Sequence, residues 1–501
     1  MIDATPTFAV VGAVNHGKSS VVSTLSENDQ VRISSMPGET VECQRFELGE
    51  LFAFYDTPGF QNAREALPEL APAANHPEPL SVFRDFIHRH RQDPAFEAEC
   101  FLFQPLVDGA GLLYVVDGSE PVLEIHAAEM EILRLTGQPR LALINRTGAD
   151  DHVQEWKRRL GLHFNAVREF NAHHATFEDR VELLETLAGI EQSWKPKLLK
   201  AIEIYRNEWQ QRLDDCAEII VELLADALTH REVSASSGPG RARHDFDGEQ
   251  LKERFIQAVA TREAKAHASI IELFGHRRVR PDTADRPVFD ADLFSEDTWR
   301  AFGLDERQLI AAGAIGGAAA GMGVDVLTAG HTLLAGAGIG GAIGAVGAFF
   351  LGRKRPELKV TVPGIGQRLR LGGSALTVGP YGALNFPWIL LDRAFGTFWY
   401  VIHRAHARRD EAAVSSSKMK NALVRTGLST AQWNDGSRRE CERLFNLIRR
   451  GKMLPEHRQS LRNRLRARLE EIQQMRLPDD LTPRLLSAPE NSGPAHPPAS
   501  R

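Results

Sequence analysis

Short apolar runs alternate with helical stretches over residues 1–190 of the chain. The apolar runs are rich in Val, Leu, Ile and Phe, which is the composition of strands buried on both faces of a parallel sheet. The pattern therefore predicts an α/β domain built on a doubly wound, mostly parallel sheet. The candidate strands are Thr7–Val11, Leu51–Tyr55, Gly111–Val116, Arg140–Ile144 and Val167–Phe170.

Residues 195–305 follow a helical period instead. Apolar residues recur at steps of three and four from Leu198 to Ala227, which predicts one long amphipathic helix. Such a helix either packs against a neighbouring helix or forms a coiled coil, and we favour packing. A loop at Ser234–Gly240 ends this helix, and a second helix is expected over Gly248–His276.

The segment 306–352 is almost free of charge. After its first two residues, its ionisable side chains are Asp325 and His331 alone. They separate two apolar arms, Leu309–Val324 and Leu333–Leu351, which carry glycine at every fourth position. Because that spacing places the glycines on one helix face, where another backbone can approach closely, we predict a glycine-zipper hairpin.

The last part of the chain mixes short β-like runs with helices. Residues 353–475 are predicted to hold a small β insertion, an aromatic-rich helix at Trp388–His406 and a basic helix containing Arg458–Arg468. The aromatic residues suit either a membrane-interface belt or ordinary core packing, and core packing is favoured. A Pro/Ser-rich composition predicts that residues 476–501 form a disordered tail.

Composition narrows the class of protein only slightly. A length of 501 residues fits about three domains, and 43% hydrophobic with 25% charged residues is typical of globular chains. The net charge of -6 gives no indication of nucleic-acid binding. The cysteines are scattered, which argues against a zinc site or a disulfide framework and fits a reducing cytosol. The first residues lack a basic region, so no secretory signal is expected.

A phosphate-binding loop follows the first candidate strand. The run Gly12–Ser19 reads GAVNHGKS and fits the pattern GxxxxGK[ST], directly before a plausible helix at Ser20–Leu25. Glycines let backbone N–H groups surround phosphates, while Lys18 reaches the β/γ oxygens and the Ser19 hydroxyl ligates Mg²⁺. The predicted nucleotide-binding residues of this loop are Gly12, Asn15, His16, Gly17, Lys18, Ser19 and Ser20.

A second motif supports the nucleotide site. The run Asp56–Gly59 reads DTPG and ends the candidate strand Leu51–Tyr55. At that position the Asp56 carboxylate can hold Mg²⁺, and the Gly59 N–H can contact a γ-phosphate. The alternative is a buried aspartate at an ordinary turn, which the order of the two motifs makes the weaker interpretation.

Together these motifs resemble the Era-like and TrmE-like GTPases, the translation-factor-related branch of P-loop GTPases. The run Pro37–Thr40 resembles the PGxT motif of that branch, and the resemblance implies that Thr40 closes over Mg²⁺ and the γ-phosphate. It therefore implies GTP and GDP as ligands, with Lys18, Thr40 and Gly59 as catalytic residues. The resemblance covers residues 7–175.

The base-binding end departs from the family. The family has NKxD where this chain has Asn145, Arg146, Thr147 and Gly148, so the guanine-reading aspartate is missing unless Asp150 or Asp151 replaces it. Two charge-assisted hydrogen bonds of ~1.5–3 kcal/mol each are at stake. Asn171 and Ala172 resemble the family's SAK element, whose backbone contacts guanine. GTP remains preferred over ATP.

Phe60 occupies the position where many GTPases place a water-orienting side chain. A phenyl ring cannot orient water, so slow intrinsic hydrolysis is expected unless a partner or another residue assists. In related GTPases an asparagine at the Asn15 position helps to bind K⁺; the alternative is that Asn15 only stabilises the loop. His16, His173 and His174 are interpreted as loop residues.

The apolar arms leave three possibilities open. They are about 16 and 19 residues long, against ~20 for a bilayer-spanning helix. The hairpin could span a membrane, insert shallowly, or pack inside a soluble core. The basic run Arg353–Arg355 at its exit fits a positive-inside orientation, so membrane lipid is an expected partner at the cytoplasmic side of the bacterial inner membrane. A cytoplasmic location is the alternative.

The arrangement of these segments resembles a bacterial family in which an Era-like GTPase is fused to a C-terminal domain of unknown function. The leading interpretation is a nucleotide-dependent switch acting on an unknown protein effector. The alternative is an RNA-, ribosome- or tRNA-associated GTPase whose basic helix contacts phosphates. A third is a nucleotide-gated scaffold with almost no hydrolysis.

Overall fold

The computed structural model describes residues 5–26, 43–48, 51–146, 151–172, 175–233, 244–275, 377–381, 383–403 and 429–474. The predicted hairpin at 306–352, the loop Ser234–Gly240 and the tail 476–501 lie outside this range. The chain divides into two compact units, and the first one runs from the amino terminus to Gln211 with two short later segments.

The first unit is built on a six-stranded sheet of order β2-β3-β1-β4-β5-β6. Every neighbouring pair is parallel except β2 and β3, which confirms the predicted mostly parallel α/β sheet. The strands are β1 (Thr7–Val11), β2 (Gln44–Leu48), β3 (Phe52–Asp56), β4 (Gly111–Asp117), β5 (Arg140–Asn145) and β6 (Ala166–Glu169).

Strand β2 was missing from the sequence prediction. It reads QRFEL and lies at the sheet edge, where most of its described side chains are exposed. A search for continuous apolar runs therefore passes over it, because an edge strand needs no such run. The central strand β4, in contrast, is buried over its whole length.

Helices cover both faces of the sheet, as the alternation predicts. Their bounds are α1 (Lys18–Leu25), α2 (Ala63–Leu70), α3 (Pro79–His90), α4 (Glu97–Val107), α5 (Glu124–Leu135), α6 (Val153–Leu160) and α7 (Phe177–Ile190). Helices α2–α4 form an insertion between β3 and β4 that the sequence reasoning did not identify. Their apolar faces share one core with α5 and the sheet.

The first unit continues beyond α7 into α8 (Lys195–Thr229). Trp194 packs edge-on to Phe8 with ring centroids 4.9 Å apart. Trp209 stacks on Phe177 at 4.5 Å. These contacts explain why the compact unit extends past residue 190 to Gln211.

The second unit is largely helical. It contains the end of α8, then α9 (His244–Leu273), α10 (Phe386–His403), α11 (Asp435–Arg449) and α12 (Pro455–Gln474). A two-stranded sheet pairs β7 (Glu232–Val233) with β8 (Thr377–Val378), within the predicted small β insertion. The long helices start or end a few residues from their predicted bounds.

The aromatic helix α10 is the centre of this unit, since it is buried from Phe386 to Val401. Trp388 packs against Trp433 and Phe445, with ring centroids 5.7 and 5.1 Å apart. Its buried Arg393 donates to Glu263 of α9 at 2.6 Å, so the charge is compensated. Core packing, rather than an interfacial belt, describes the aromatic residues of this helix.

The basic helix α12 faces an acidic surface of α8. Arg458 pairs with Glu218, while Arg462 and Arg466 each lie 3.1 Å from the Asp214 carboxylate. Ion pairs within the second unit therefore engage the arginines that the sequence suggested for phosphate contacts. None of the helices in the described part of the chain is both long enough and apolar enough to cross a bilayer.

Candidate nucleotide-binding site

The loop between β1 and α1 has the backbone geometry of a phosphate cradle. Gly12 has φ +144°, and a Cβ at this position would lie 2.2 Å from the Val115 carbonyl oxygen. Asn15 has φ 68°, a left-handed conformation that asparagine tolerates better than most residues. Helix α1 begins at Lys18, so its first N–H groups face the loop and create a favourable place for an anion.

Lys18 lies over this loop and is 7% exposed. Its Nζ donates to the carbonyl oxygens of Gly12 at 3.2 Å and Ala13 at 2.9 Å. Burial lowers the Lys18 pKa to about 8, although the Asp56 and Glu129 carboxyl groups oppose the shift. The ammonium is thus held by weak neutral acceptors that phosphate oxygens can replace.

Asp56 ends β3 next to the loop, because Val10 and Asp56 are paired in the parallel register of β1 and β3. Burial raises the Asp56 pKa to about 6, while a hydrogen bond from Ser19 and the charge of Lys18 act in the opposite direction. Its Oδ1 atom is buried without a hydrogen-bond partner. The carboxylate therefore needs a further cationic or donor group in this position.

Mg²⁺ fits that requirement. Carboxylate and hydroxyl oxygens are ligands that Mg²⁺ prefers, and the Asp56 and Ser19 side chains already lie together. The part of the chain that the structure describes holds no cluster of three or more His, Cys, Asp and Glu side chains suited to a metal. An ion here would depend on phosphate oxygens for its remaining ligands. Thr40, the other predicted ligand, lies outside the described residues.

The turn after Asp56 touches the phosphate loop directly. A Cβ on Gly59 would lie 2.7 Å from the Val14 backbone nitrogen, so only glycine permits this approach. The Phe60 N–H donates to the Gly12 carbonyl at 3.2 Å. The Phe60 ring is 4% exposed and lies 6.1 Å from the Phe103 ring, so it belongs to the apolar core.

Asn145 connects the loop to the predicted base-binding end. The side chain is fully buried, and its Nδ2 donates to the His16 carbonyl at 3.3 Å. Its Oδ1 accepts from the Ala172 N–H at 3.0 Å, and Thr24 donates to the Ala172 carbonyl at 2.8 Å. The loop, the end of β5 and the segment after β6 therefore come together, as the predicted site requires.

The remaining base-end residues are placed less completely. Arg146 follows β5, with its Cγ 3.3 Å from the position of a Cβ on Gly118, and Asn171 follows β6. The Asp151 Oδ1 accepts from the Val153 N–H at 3.1 Å at the start of α6, so this candidate replacement carboxylate has a structural partner. Residues 147–150, with Gly148 and Asp150, lie outside the described range, as do His173 and His174.

His16 has a more specific environment than a loop position suggested. The side chain is buried, with its ring 5.3 Å from that of His126 and its Nε2 3.6 Å from the Glu120 carboxylate. Burial, with help from the charges of His126 and Lys18, lowers the His16 pKa to about 4. The ring is therefore neutral at physiological pH and adds no charge to the loop.

Sequence reasoning missed the buried carboxyl groups beneath the loop. Glu129 of α5 is 1% exposed, accepts from the Tyr114 hydroxyl at 2.7 Å, and has its Oε1 buried without a hydrogen-bond partner. Burial raises its pKa to about 7, helped by Glu99 and opposed by Tyr114 and Lys18. The signal in the sequence was an acidic residue on the inward face of an amphipathic helix.

With this geometry established, the comparisons with known proteins define the class. Residues 7–146 match the family model described as "50S ribosome-binding GTPase", and the first unit is a P-loop GTPase domain. Residues 157–474 match the model described as "Domain of unknown function (DUF3482)", which covers more than half of the chain. The protein belongs to the DUF3482 family.

Individual relatives match only the first part of the chain. A protein of Gemmatimonas aurantiaca named "Probable GTP-binding protein EngB" is 26% identical over 200 residues, which cover 36% of this chain and 83% of that protein. A protein of the same name from Bacillus cytotoxicus is 39% identical over 67 residues, covering 13% of this chain and 34% of that protein.

Solved structures give weak similarity over the same half. Aquifex aeolicus Era bound to GDP and aluminium fluoride is 15% identical, with a TM-score of 0.24; the match covers 54% of this chain and 90% of that one. The FeoB GTPase fragment of S. thermophilus is 17% identical with a TM-score of 0.19, covering 54% and 89%. The family assignment therefore depends on the sequence matches.

The raised pKa of Glu129 predicts a pH-dependent stability. A carboxyl group with a folded-state pKa above its unfolded value stabilises the fold at low pH, and this contribution is lost between about pH 4.5 and pH 7. Glu129→Gln keeps an acceptor for Tyr114 but stays neutral. We expect it to stabilise the first unit by on the order of 2 kcal/mol at pH 8 and by much less at pH 5.

Urea unfolding of the nucleotide-free protein at both pH values measures this difference. Glu124→Gln is the matched control, because Glu124 lies on the same helix with its side chain 92% exposed. Equal unfolding midpoints for wild type and Glu129→Gln at pH 8 would show that Glu129 carries no buried charge.

Proposed function

We propose that the protein is a GTP-dependent switch with slow intrinsic hydrolysis that acts on a protein effector. The observation that carries this proposal is the arrangement around Asp56: a buried carboxylate, bonded to Ser19, stands beside Lys18 at the rim of a glycine-shaped loop. A nucleotide triphosphate with Mg²⁺ supplies the negative and positive charges that this group of side chains lacks.

Slow hydrolysis is proposed because no polar side chain follows the DTPG turn. Phe60 is buried in the core and offers nothing to an attacking water. Lys18 and the Gly59 N–H would act on the phosphates, with Ser19, Asp56 and Thr40 holding Mg²⁺. A K⁺ ion held with the help of Asn15 would add positive charge near the β/γ-phosphates, and this role stays a prediction.

The base preference can be tested by calorimetry. We expect GDP to bind more tightly than ADP, but with a modest ratio because Gly148 replaces the carboxylate that reads guanine in related proteins. Loss of such contacts removes on the order of 10-fold or more in discrimination. Equal affinities for GDP and ADP in the presence of Mg²⁺ would contradict the guanine assignment and leave a general nucleotide switch.

Action at the cytoplasmic side of a bacterial membrane is proposed from the sequence of residues 309–351 alone. If this segment binds lipid, the full-length protein should sediment with membranes and resist extraction by salt or alkaline carbonate. A variant lacking Leu309–Leu351 should be recovered in the supernatant and still bind GDP. Recovery of the intact protein in the high-speed supernatant without detergent would contradict membrane action.

A nucleic-acid function is the weaker proposal for the second unit. Arg458, Arg462 and Arg466 have acidic partners on α8, so α12 presents a surface of mixed charge. Non-specific nucleic-acid binding needs a concentrated positive surface.

A further inference from the structure

Glu99 of α4 contacts the backbone just after the DTPG turn. Its carboxylate Oε1 accepts hydrogen bonds from the Gln61 N–H at 2.8 Å and the Asn62 N–H at 2.6 Å. Glu99 is 0% exposed, and both bonds are of the strong, charge-assisted kind. One side chain of the inserted helices therefore holds the chain directly behind the residues predicted to sense the γ-phosphate.

The start of α2 depends on this outside support. Asn62 is the N-cap residue of α2 but makes no side-chain cap, since its amide donates to the Ala95 carbonyl at 2.5 Å instead. The segment from Gln61 to Asn62 is thus fixed from two points that flank the start of α4. It has no comparable support from α2 itself.

Phe60 connects the same turn to α4 through apolar contact. Its ring lies 6.1 Å from that of Phe103, which follows Glu99 by four residues and so shares its helix face. Phe103 also packs edge-on to Phe83 of α3 at 5.2 Å. Helix α4 therefore holds Phe60 by packing and the next two residues by hydrogen bonds.

The opposite side of the turn belongs to the phosphate loop. The Phe60 N–H donates to the Gly12 carbonyl, and Gly59 lies against Val14. A displacement of Gly59 by a γ-phosphate must therefore move Gln61 and Asn62 relative to α4, or move α4 with them. Since the Glu99 Oε2 is buried without a hydrogen-bond partner, this carboxylate is costly to bury for stability alone.

We propose that Glu99 is a positioning residue that fixes the γ-phosphate-sensing turn and couples its movement to the inserted helices α3 and α4. This inference deepens the proposed function and rests on it: the insertion is the first element to change when GTP replaces GDP. Glu99 touches no nucleotide, so it acts only through the backbone of Gln61 and Asn62.

The test compares Glu99→Ala, Glu99→Gln and wild type in the full-length protein. The alanine variant removes both acceptor contacts, whereas the glutamine variant keeps an amide oxygen that can accept them. Glu97→Ala is the matched control, since Glu97 is exposed two residues earlier on the same helix. The measurements are GDP affinity, single-turnover GTP hydrolysis, and amide hydrogen exchange with GDP and with a non-hydrolysable GTP analogue.

For Glu99→Ala we expect GDP affinity within about threefold of wild type and a hydrolysis rate lower by on the order of 10-fold, because misplaced groups lose much of their effect. Protection of the Gln61 and Asn62 amides should fall, and the difference between the two nucleotides over residues 79–107 should disappear. Glu99→Gln should restore both readouts, and Glu97→Ala should leave them unchanged.

Wild-type hydrolysis and an unchanged exchange difference in Glu99→Ala would overturn the proposal. If Glu99→Ala does not fold, Glu99→Gln decides: loss of amide protection or of coupling with the acceptor present would also overturn it. Failure of the wild-type protein to bind guanine nucleotides would instead refute the proposed function. Protection of the Gln61 and Asn62 amides without nucleotide would then still report on the Glu99 contact.

Discussion

The first unit depends on compensating charge that is buried at the carboxyl edge of its sheet. Lys18, Asp56 and Glu129 all lie out of water, and each shifts the pKa of a neighbour. Their own interactions leave the Asp56 Oδ1 and the Glu129 Oε1 without hydrogen-bond partners. Buried polar atoms of this kind are costly, and a protein retains them where a ligand completes the set.

The parallel register explains why these groups meet. Val10 lies beside Asp56 across β1 and β3, and Asp117 lies beside Asn145 across β4 and β5. Residues that follow neighbouring parallel strands emerge at the same edge, where open α/β sheets bind ligands. The contacts of Asn145 with His16 and Ala172 then join that edge into one site.

Much of this site was predictable because its chemistry is local in the sequence. The loop Gly12–Ser19 and the DTPG run each occupy a few consecutive residues, and the apolar runs gave the central strands. The edge strand β2 could not be found in the same way, since an exposed edge carries no apolar run. The base end was also only partly predictable, because the chain departs from the family at Gly148.

The contacts of Glu99 and Glu129 could not be predicted, for a different reason. Glu99 contacts the turn across 37 and 38 residues of sequence, and the Tyr114–Glu129 bond depends on how α5 packs on β4. A single acidic residue in a helical pattern normally lies on the solvated face. Only packing in three dimensions distinguishes a buried carboxylate from an exposed one.

The central claim is that Lys18 exchanges its loop carbonyls for nucleotide phosphates. Titration of a fluorescent GDP analogue, with Mg²⁺, into wild type and Lys18→Ala tests this claim most directly. The account predicts that the variant loses at least about 100-fold in affinity, because it removes the charged donor buried at the loop. Wild-type affinity in a folded Lys18→Ala protein would contradict the nucleotide site.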